Sequence, residues 1–303
     1  MARPFSPRLD NTAVRWRLEL PSGRVLRTDE TPAVMAILNV TPDSFSDGGR
    51  FCSAESAVEE GARYADLGAV IVDVGGESTR PKGSAYGEGA TEIPSNEEIA
   101  RVLPVISSLR RSRPSLPISI DTRRTEVARA ALDAGADVVN VVTGLAVADD
   151  LLGLIARRGA ALVLNHCRGT PSTTFEESSF RDVAREVASD LAAARTRAIS
   201  AGIPPEKIFL DPGFGFGKKP DENFALLAHL ADLAPPGTPL VAGASRKAFL
   251  GAIAGRPPSD RLPESLAAAA TAARASTTHP VFLRVHDVEE TLRFLAALAR
   301  AQA

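Results

Sequence analysis

Residues 208–218 read IFLDPGFGFGK. An apolar run, Ile208 to Leu210, meets a carboxylate at Asp211, and a proline, three glycines, two phenylalanines and a lysine follow at once. Glycines cost backbone entropy on folding, so a loop this rich in them is shaped for a purpose. Beyond it, from about residue 221, comes an amphipathic helical stretch. A short apolar run, an acid at its end and a helix to follow form one βα unit, the building block of a parallel sheet covered by helices.

The same unit recurs along the chain. Apolar runs predict strands over 33–38, 69–74, 117–121, 137–142, 160–165, 207–210, 239–243 and 281–285. Helical periodicity predicts helices over 53–67, 95–112, 124–134, 148–158, 178–201, 221–233, 262–276 and 288–302. Eight strands and eight helices in strict alternation predict an α/β fold, a single (β/α)8 TIM barrel. A doubly wound open sheet would have fewer units and usually a second domain. The start of the chain stands outside the pattern. WRLELPSGRVLR, at 16–27, alternates about a Pro-Ser-Gly turn and predicts a β-hairpin at the N-terminal mouth of the barrel. The expected organisation is an N-terminal extension with a hairpin, 1–32, followed by the barrel, 33–303.

Composition is that of an ordinary globular protein: 303 residues, 44% hydrophobic and 24% charged. A net charge of −2 gives no electrostatic footprint for nucleic acid or an anionic membrane. The longest apolar runs are short and alanine-rich, so none is expected to span a bilayer. The opening MARPFSPRLDNTAVRW has no apolar signal core. Two cysteines, Cys52 and Cys167, make no disulfide framework, which suits a cytoplasmic protein.

A barrel enzyme places its chemistry where strands end and run into helices. Here the first strand ends at Asn39 and enters NVTPDSFSDGG; the second ends in DVGGESTRP; the third and fourth end at Asp121 and Asn140. The fifth runs into NHCRG, the sixth ends at Asp211, the seventh enters GASRK and the eighth RVHD. The helix-to-strand turns, such as LG, AG and RRG, are bland by comparison. Asp121, Asn140 and Asp211 offer acceptors and donors suited to a flat heterocycle with amino and oxo edges. The cations Arg80, Lys247 and Arg284, with His286, suit phosphate. Asn39, Asp43 and Asp47 offer the oxygen ligands that Mg2+ takes alongside phosphate. A heterocycle bearing a pyrophosphate satisfies both halves.

ILNVTPDSFSDGGRF, VDVGGESTRP, ISIDT, LDPGFGFGK, GASRKAFLG and RVHDV, in this order from about Met35 to the C-terminus, resemble the dihydropteroate synthase family of folate biosynthesis. The resemblance implies a transferase that joins 6-hydroxymethyl-7,8-dihydropterin pyrophosphate to 4-aminobenzoate. It further implies Mg2+ as cofactor, a homodimer and inhibition by sulfonamides. Lys247, Asp121, Asp211 and Arg284 match the family's catalytic positions, and Asp121, Asn140, Asp211 and Lys247 its pterin-binding ones. Arg284, His286, Thr79 and Arg80 match pyrophosphate binders, and Asn39 the metal ligand. Phe45, Thr79, Arg80, Pro81, Phe216 and Ser245 match the walls of the aminobenzoate pocket. Asp47 and Arg80 match residues of two loops that close over the substrates.

Other readings of the same residues stay open. Asp121, Asp211, Thr122 and Ser245 could serve as helix caps. Lys218 and Lys219 read as the solvated start of a helix, because no Ser or Thr follows Lys218 as a phosphate-binding Walker loop requires. His166 and Cys167 lack a second ligand pair for zinc. His229, read as mid-helix, and His279 are expected to be structural, and Phe214 and Phe249 to be core. The chain also departs from the family's pattern: Val141 follows Asn140 where an acid is usual, Asn165 precedes His166 where Met is frequent, and Ala248 follows Lys247. A methyltetrahydrofolate-binding methyltransferase domain would share the barrel and the pterin acids but would not need Lys247 and Arg284. A non-catalytic pterin-binding paralogue would be expected to have lost Asn39, Arg80, Lys247 or Arg284, and all are present.

Overall fold

The computed structural model describes residues 16–28, 31–40, 54–78, 92–170 and 173–302. The chain opens with a hairpin, β1 (Trp16–Glu19) and β2 (Val25–Thr28), and then enters β3 (Ala33–Asn39) and α1 (Ala54–Leu67). There follow β4 (Ile71–Gly75), α2 (Ser95–Ser112), β5 (Ile118–Asp121), α3 (Thr125–Asp133), β6 (Val138–Val141) and α4 (Asp149–Arg158). Next come β7 (Ala161–Asn165), a single turn α5 (Thr174–Glu177), α6 (Val183–Ser200), β8 (Ile208–Asp211) and α7 (Pro220–Ala228). The chain ends with β9 (Leu240–Ala242), α8 (Ala248–Ala254), α9 (Leu262–Ala273), β10 (Val281–Val285) and α10 (Val288–Gln302). Strands β3 to β10 close into one barrel, with β10 pairing both β9 and β3, and every pairing in it is parallel. The expected (β/α)8 barrel is therefore the observed fold.

Two-residue alternation along the strands separates two cores. Val34, Ala36 and Leu38 of β3, Val72 and Val74 of β4, and Leu162 and Leu164 of β7 pack with the helices in an outer core. The alternate residues, Ala33 and Met35, Ile71, Val138, Val163, Phe209, Val241 and Phe282, form a separate inner cluster. Two residues beyond each of several of these the side chain turns polar: Ile71 leads to Asp73, Val138 to Asn140, Val163 to Asn165, Phe209 to Asp211 and Phe282 to Arg284. Because successive side chains in a strand alternate faces, the barrel's interior is apolar at the strands' N-terminal ends and polar at their C-terminal ends.

The hairpin seals the apolar end. Leu18, Leu20 and Leu26 join the inner cluster. Trp16 sets its ring edge-on at 5.7 Å to both Phe209 and Phe282. Each buried leucine stabilises this arrangement by about 1.5–3 kcal/mol. Asp137, just before β6, fastens the turn. Its Oδ1 accepts from Ser22 Oγ at 2.6 Å and Arg24 Nη1 at 2.7 Å, while Oδ2 accepts from Arg110 Nη2 at 2.8 Å.

Three helices differ from expectation. The stretch expected as one helix over 178–201 begins at Val183, because the Asp182 carboxylate accepts from Arg185 N at 3.1 Å and caps it. The helix expected over 221–233 ends at Ala228 and is closed by His229, with a separate 3-10 turn over Leu230–Leu233. His229 is thus a terminus, paired with Asp232 at 2.9 Å, and not a mid-helix residue. The helix expected over 262–276 turns 3-10 from Arg274. Helix α8 adds a short element that seven residues of sequence are too few to announce by periodicity.

Candidate active site

The polar ends of the strands converge on one cavity whose lining includes Asn140, Asn165, Asp211, Lys247 and Arg284. Asp121, Asn140 and Asp211 all end or nearly end their strands, and each is buried. Arg284 enters from β10 and bridges two carboxylates: its Nε donates to Asp73 Oδ2 at 2.7 Å and its Nη2 to Asp121 Oδ2 at 2.7 Å. Asn140 Nδ2 donates to the same Asp73 oxygen at 3.0 Å. One fully buried acid therefore holds two of the predicted site residues.

Asp211 is fixed from below. Its Oδ1 accepts from Gly213 N at 2.7 Å. Gly213 has φ +68°, and a Cβ there would lie 1.9 Å from the His166 carbonyl oxygen, so both the turn and the close approach require glycine. The loop then swings Phe216 into the cavity wall, and Lys247 Nζ lies 4.4 Å from the centre of its ring, within cation–π range. Lys247 follows Arg246, which has φ +58°. Such a conformation costs a non-glycine residue of order 1–3 kcal/mol and needs support. Asp287 accepts from Arg246 Nε at 3.0 Å, Ser265 Oγ accepts from its N at 3.0 Å, and Arg261 Nη1 donates to its carbonyl at 2.9 Å.

Electrostatics of the cavity follow from the burial of its groups. Burial pushes the Asp121 carboxyl up to about 7, with Arg284 pulling against it and Asp73 adding to it. Burial raises Asp211 as well. Burial and then the Arg284 charge draw Lys247 down to about 8. Burial, Arg284 and Arg246 press His286 down to about 3, which favours an uncharged ring at neutral pH. Its Nδ1 sits 3.1 Å from Ser245 Oγ, which also accepts from His286 N at 3.2 Å. Three buried acceptors, Asp73 Oδ1, Asp121 Oδ1 and Asn165 Oδ1, have no hydrogen-bond donor among the described residues. Unpaired buried acceptors are costly, and a ligand rich in N–H groups would satisfy them.

Of the predicted site residues, Asp121, Asn140, Asp211, Lys247, Arg284 and Phe216 come together here. Ser245 and His286 pair on the adjacent rim. Asn39 ends β3 half-buried, and the missing side chain of Gly75 leaves it beside Asp121: a Cβ on Gly75 would lie 3.6 Å from Asn39 Oδ1 and 3.7 Å from Asp121 Cβ. Phe45, Asp43, Asp47, Thr79, Arg80 and Pro81 lie outside the described residues. Phe214, expected as core, is buried and stacked on Phe249 at 6.0 Å but also lines the cavity. Lys218, expected as solvated, is 3% exposed, while Lys219 is exposed as expected. His166 and Cys167 gather no metal cluster among the described residues.

Sequence reasoning missed Asp73, Asn165, Lys218 and an anchor at the root of the loop after β4. In that anchor Arg124 bonds both Glu77 and the buried Glu98, and Arg101 Nη1 donates to Gly76 O at 2.9 Å. Asp73 carried a signal, an acid on the inward alternate of an apolar strand. Lys218 carried none, since a lysine pair before a proline reads as surface.

A family model described as pterin binding enzyme matches residues 35–286. A dihydropteroate synthase of Synechocystis is 42% identical over 257 residues, covering 84% of this chain and 85% of its own length. Among solved structures, Xanthomonas albilineans dihydropteroate synthase with 4-aminobenzoic acid superposes at a TM-score of 0.83, with 42% identity over 95% of this chain and 98% of that one. The same enzyme in complex with 7,8-dihydropteroate gives a TM-score of 0.80 at 40% identity, over 95% of this chain and 99% of that one. A polar cavity built at the strand ends, on a barrel this similar over nearly its whole length, places the chain in the dihydropteroate synthase family of pterin-binding enzymes.

Proposed function

We propose that this barrel condenses 6-hydroxymethyl-7,8-dihydropterin pyrophosphate with 4-aminobenzoate, giving 7,8-dihydropteroate and pyrophosphate. The observation that carries the reading is the convergence of Asn140, Asp211, Lys247 and Arg284 on one cavity, with Asp121 bound to Arg284 beside it and buried acceptors that find no donor among the described residues. The pterin's amino and ring N–H groups supply such donors. Asp121 and Asp211 accept them, and Asn140 and Lys247 serve the oxo and ring-nitrogen edge.

The same groups suit the bond changes. The C–O bond between the pterin methylene and pyrophosphate breaks with its electron pair leaving on oxygen. Positive charge develops on the pterin, where two buried carboxylates are already aimed, and preorganised charge of this kind needs no rearrangement at the moment of reaction. The aniline nitrogen then bonds to the methylene carbon and gives up a proton to water or the departing pyrophosphate. A stabilised cation accepts a weak nucleophile, so no strong base is required. Arg284 and the neutral His286 are the described donors suited to the leaving group.

Asn39 offers one hard amide oxygen at the rim. That fits Mg2+, which keeps several waters and takes most of its other ligands from phosphate. When bound, the ion would spread the charge of the leaving pyrophosphate, and Asn39 would hold it. Arg80 and Thr79 belong with the pyrophosphate in this reading, and Phe45, Pro81, Phe216 and Ser245 with the aminobenzoate; Asp47 and Arg80 would close the loops. A homodimer and a cytoplasmic location complete the proposal. No helix among the described residues is long and apolar enough to cross a membrane.

Mixing purified protein with the pterin pyrophosphate, 4-aminobenzoate and Mg2+ tests the reading. Dihydropteroate and pyrophosphate should form in equal amounts, and a sulfonamide should compete with the aminobenzoate. No product under these conditions would leave pterin binding without synthesis.

A further inference from the structure

Residues 212–219 join β8 to α7 without regular structure, yet their backbone is bonded from within by two buried side chains. Asn223, fully buried on α7, accepts from Gly215 N at 2.7 Å and donates to the carbonyls of Lys218 and Lys219 at 3.0 and 2.8 Å. Lys218 turns back under the loop, where burial draws its ammonium down to about 7. Four acceptors surround its Nζ: Gly213 O at 2.9 Å, Phe216 O at 3.0 Å, His166 Nδ1 at 3.1 Å and His166 O at 3.4 Å. His166 Nε2 lies 3.2 Å from Asp190 Oδ2. A ring proton placed on Nε2 serves that carboxylate and leaves the Nδ1 lone pair for Lys218, so every proton in the chain has a partner.

No carboxylate pairs with Lys218 among the described residues; its Nζ meets carbonyls, an imidazole and, at 6.0 Å from its centre, the Phe180 ring. An amine buried this way is costly, charged or neutral, and an apolar side chain of similar length would fill the space at less cost. Its geometry supplies the reason to keep it. Lys218 grips the loop at Gly213 and Phe216, the two ends of the turn closed by Phe216 N donating to Gly213 O at 3.1 Å. The Phe216 ring between these grips packs on Val142 and Cys167 and faces the Lys247 ammonium.

We propose that Lys218, backed by Asn223, is a positioning residue: it holds Phe216 as a rigid wall of the aminobenzoate pocket without touching either substrate. The inference rests on the reading of Phe216 as that wall. The pterin side depends on it less, because Asp211 is also set by strand pairing, with His166 N donating to Asp211 O at 2.9 Å.

Steady-state kinetics of Lys218→Met, Phe216→Ala and the double variant test this. Lys218→Met should raise KM for 4-aminobenzoate about tenfold while KM for the pterin pyrophosphate moves less than about twofold. In a Phe216→Ala background the lysine change should add little, because a residue acting through another loses its effect when that other is gone. Asn223→Ala should reproduce the split and covers the case in which Lys218→Met does not fold. Equal rises in both KM values, or effects that multiply in the double variant, would overturn the inference. An inactive wild-type protein would sink the proposed reaction instead, and an active wild type with an unchanged aminobenzoate KM in Lys218→Met would sink this inference alone.

Discussion

Asp73 provides the sharpest test of how the cavity is held. The Asp73→Asn change keeps shape and removes charge. One oxygen of Asp73 takes both hydrogen bonds, from Asn140 Nδ2 and Arg284 Nε, and the other takes none from the described residues. An asparagine can keep its carbonyl where the shared oxygen was and place its NH2 at the other position. Both hydrogen bonds then survive, but the one from Asn140 loses its charge assistance, the one from Arg284 is no longer an ion pair, and Arg284 keeps Asp121 as its remaining carboxylate partner. A hydrogen bond to a charged partner contributes about 1.5–3 kcal/mol and a neutral one about 0.5–1.5 kcal/mol, so Asp73→Asn should cost about 1–2 kcal/mol of stability. Asp73→Ala removes both bonds and the charge together. Breaking a buried ion pair on one side costs about 3–5 kcal/mol, which lowers the melting midpoint by roughly 5–8 °C for a domain of this size.

Turnover should follow the same order. With Arg284 and Asn140 less well held, kcat/KM for the pterin pyrophosphate should fall about tenfold or somewhat more in Asp73→Asn, equivalent to about 1.4 kcal/mol. In Asp73→Ala the loss should reach a hundredfold or more, about 2.7 kcal/mol. Differential scanning fluorimetry and steady-state kinetics on the three proteins suffice. Wild-type melting and turnover in Asp73→Ala would refute the account, because they would mean that Arg284 and Asn140 hold their places unaided.

Three further outcomes are expected. Lys247→Ala and Asp211→Ala should each cut turnover by about two orders of magnitude or more while circular dichroism stays that of the folded barrel; near-normal turnover in either removes that residue from the site. Because the Asp121 carboxyl is held up at about 7, the ligand-free folded state binds a proton that the unfolded chain has released, so stability should fall as pH rises from the ordinary carboxylate range through 7. Melting midpoints across that window should show the decline, and Asp121→Asn should flatten it. Asn39→Ala should weaken Mg2+-dependent pyrophosphate binding in calorimetry and leave a bare pterin analogue bound as before; equal loss of both would move Asn39 into the pterin pocket.

The barrel was legible because parallel strands buried on both faces appear as short apolar runs, and eight such runs alternate with helices. The chemistry was legible wherever a polar residue ended a run, as Asp121, Asn140 and Asp211 do. It became opaque where a residue's role depends on which face of a strand it occupies or on what a loop folds back upon. Asp73 sits two residues before the end of β4, and only the register with β3 and β5 brings it within reach of Asn140 and Arg284 across the barrel. Lys218 looks like half of a solvated pair until the glycine loop turns it inward under Phe216. Asp182 and α8 were hidden for a simpler reason, since one cap and seven residues leave almost no periodic trace.

Asp73, Lys218 and Asn223 share a physical role, and it follows from how deeply the site is buried. A site meant to stabilise a cation must keep carboxylates ready without water. Carboxylates left alone in such a place would protonate, as the upward shifts of Asp121 and Asp211 show. Arg284 counters that tendency, but held by Asp121 alone its guanidinium would be pinned at only one edge. Asp73 pins the second edge. On the far side of the cavity Lys218 and Asn223 do for a loop what Asp73 does for a side chain, satisfying backbone groups that water would otherwise reach. The residues that meet the substrates can then stand at strand ends in plain sight of the sequence, while the residues that keep them charged, dry and aimed lie one layer deeper. Substitutions in that deeper layer should therefore show first as changed affinity and pH response, and those at the strand ends as lost turnover.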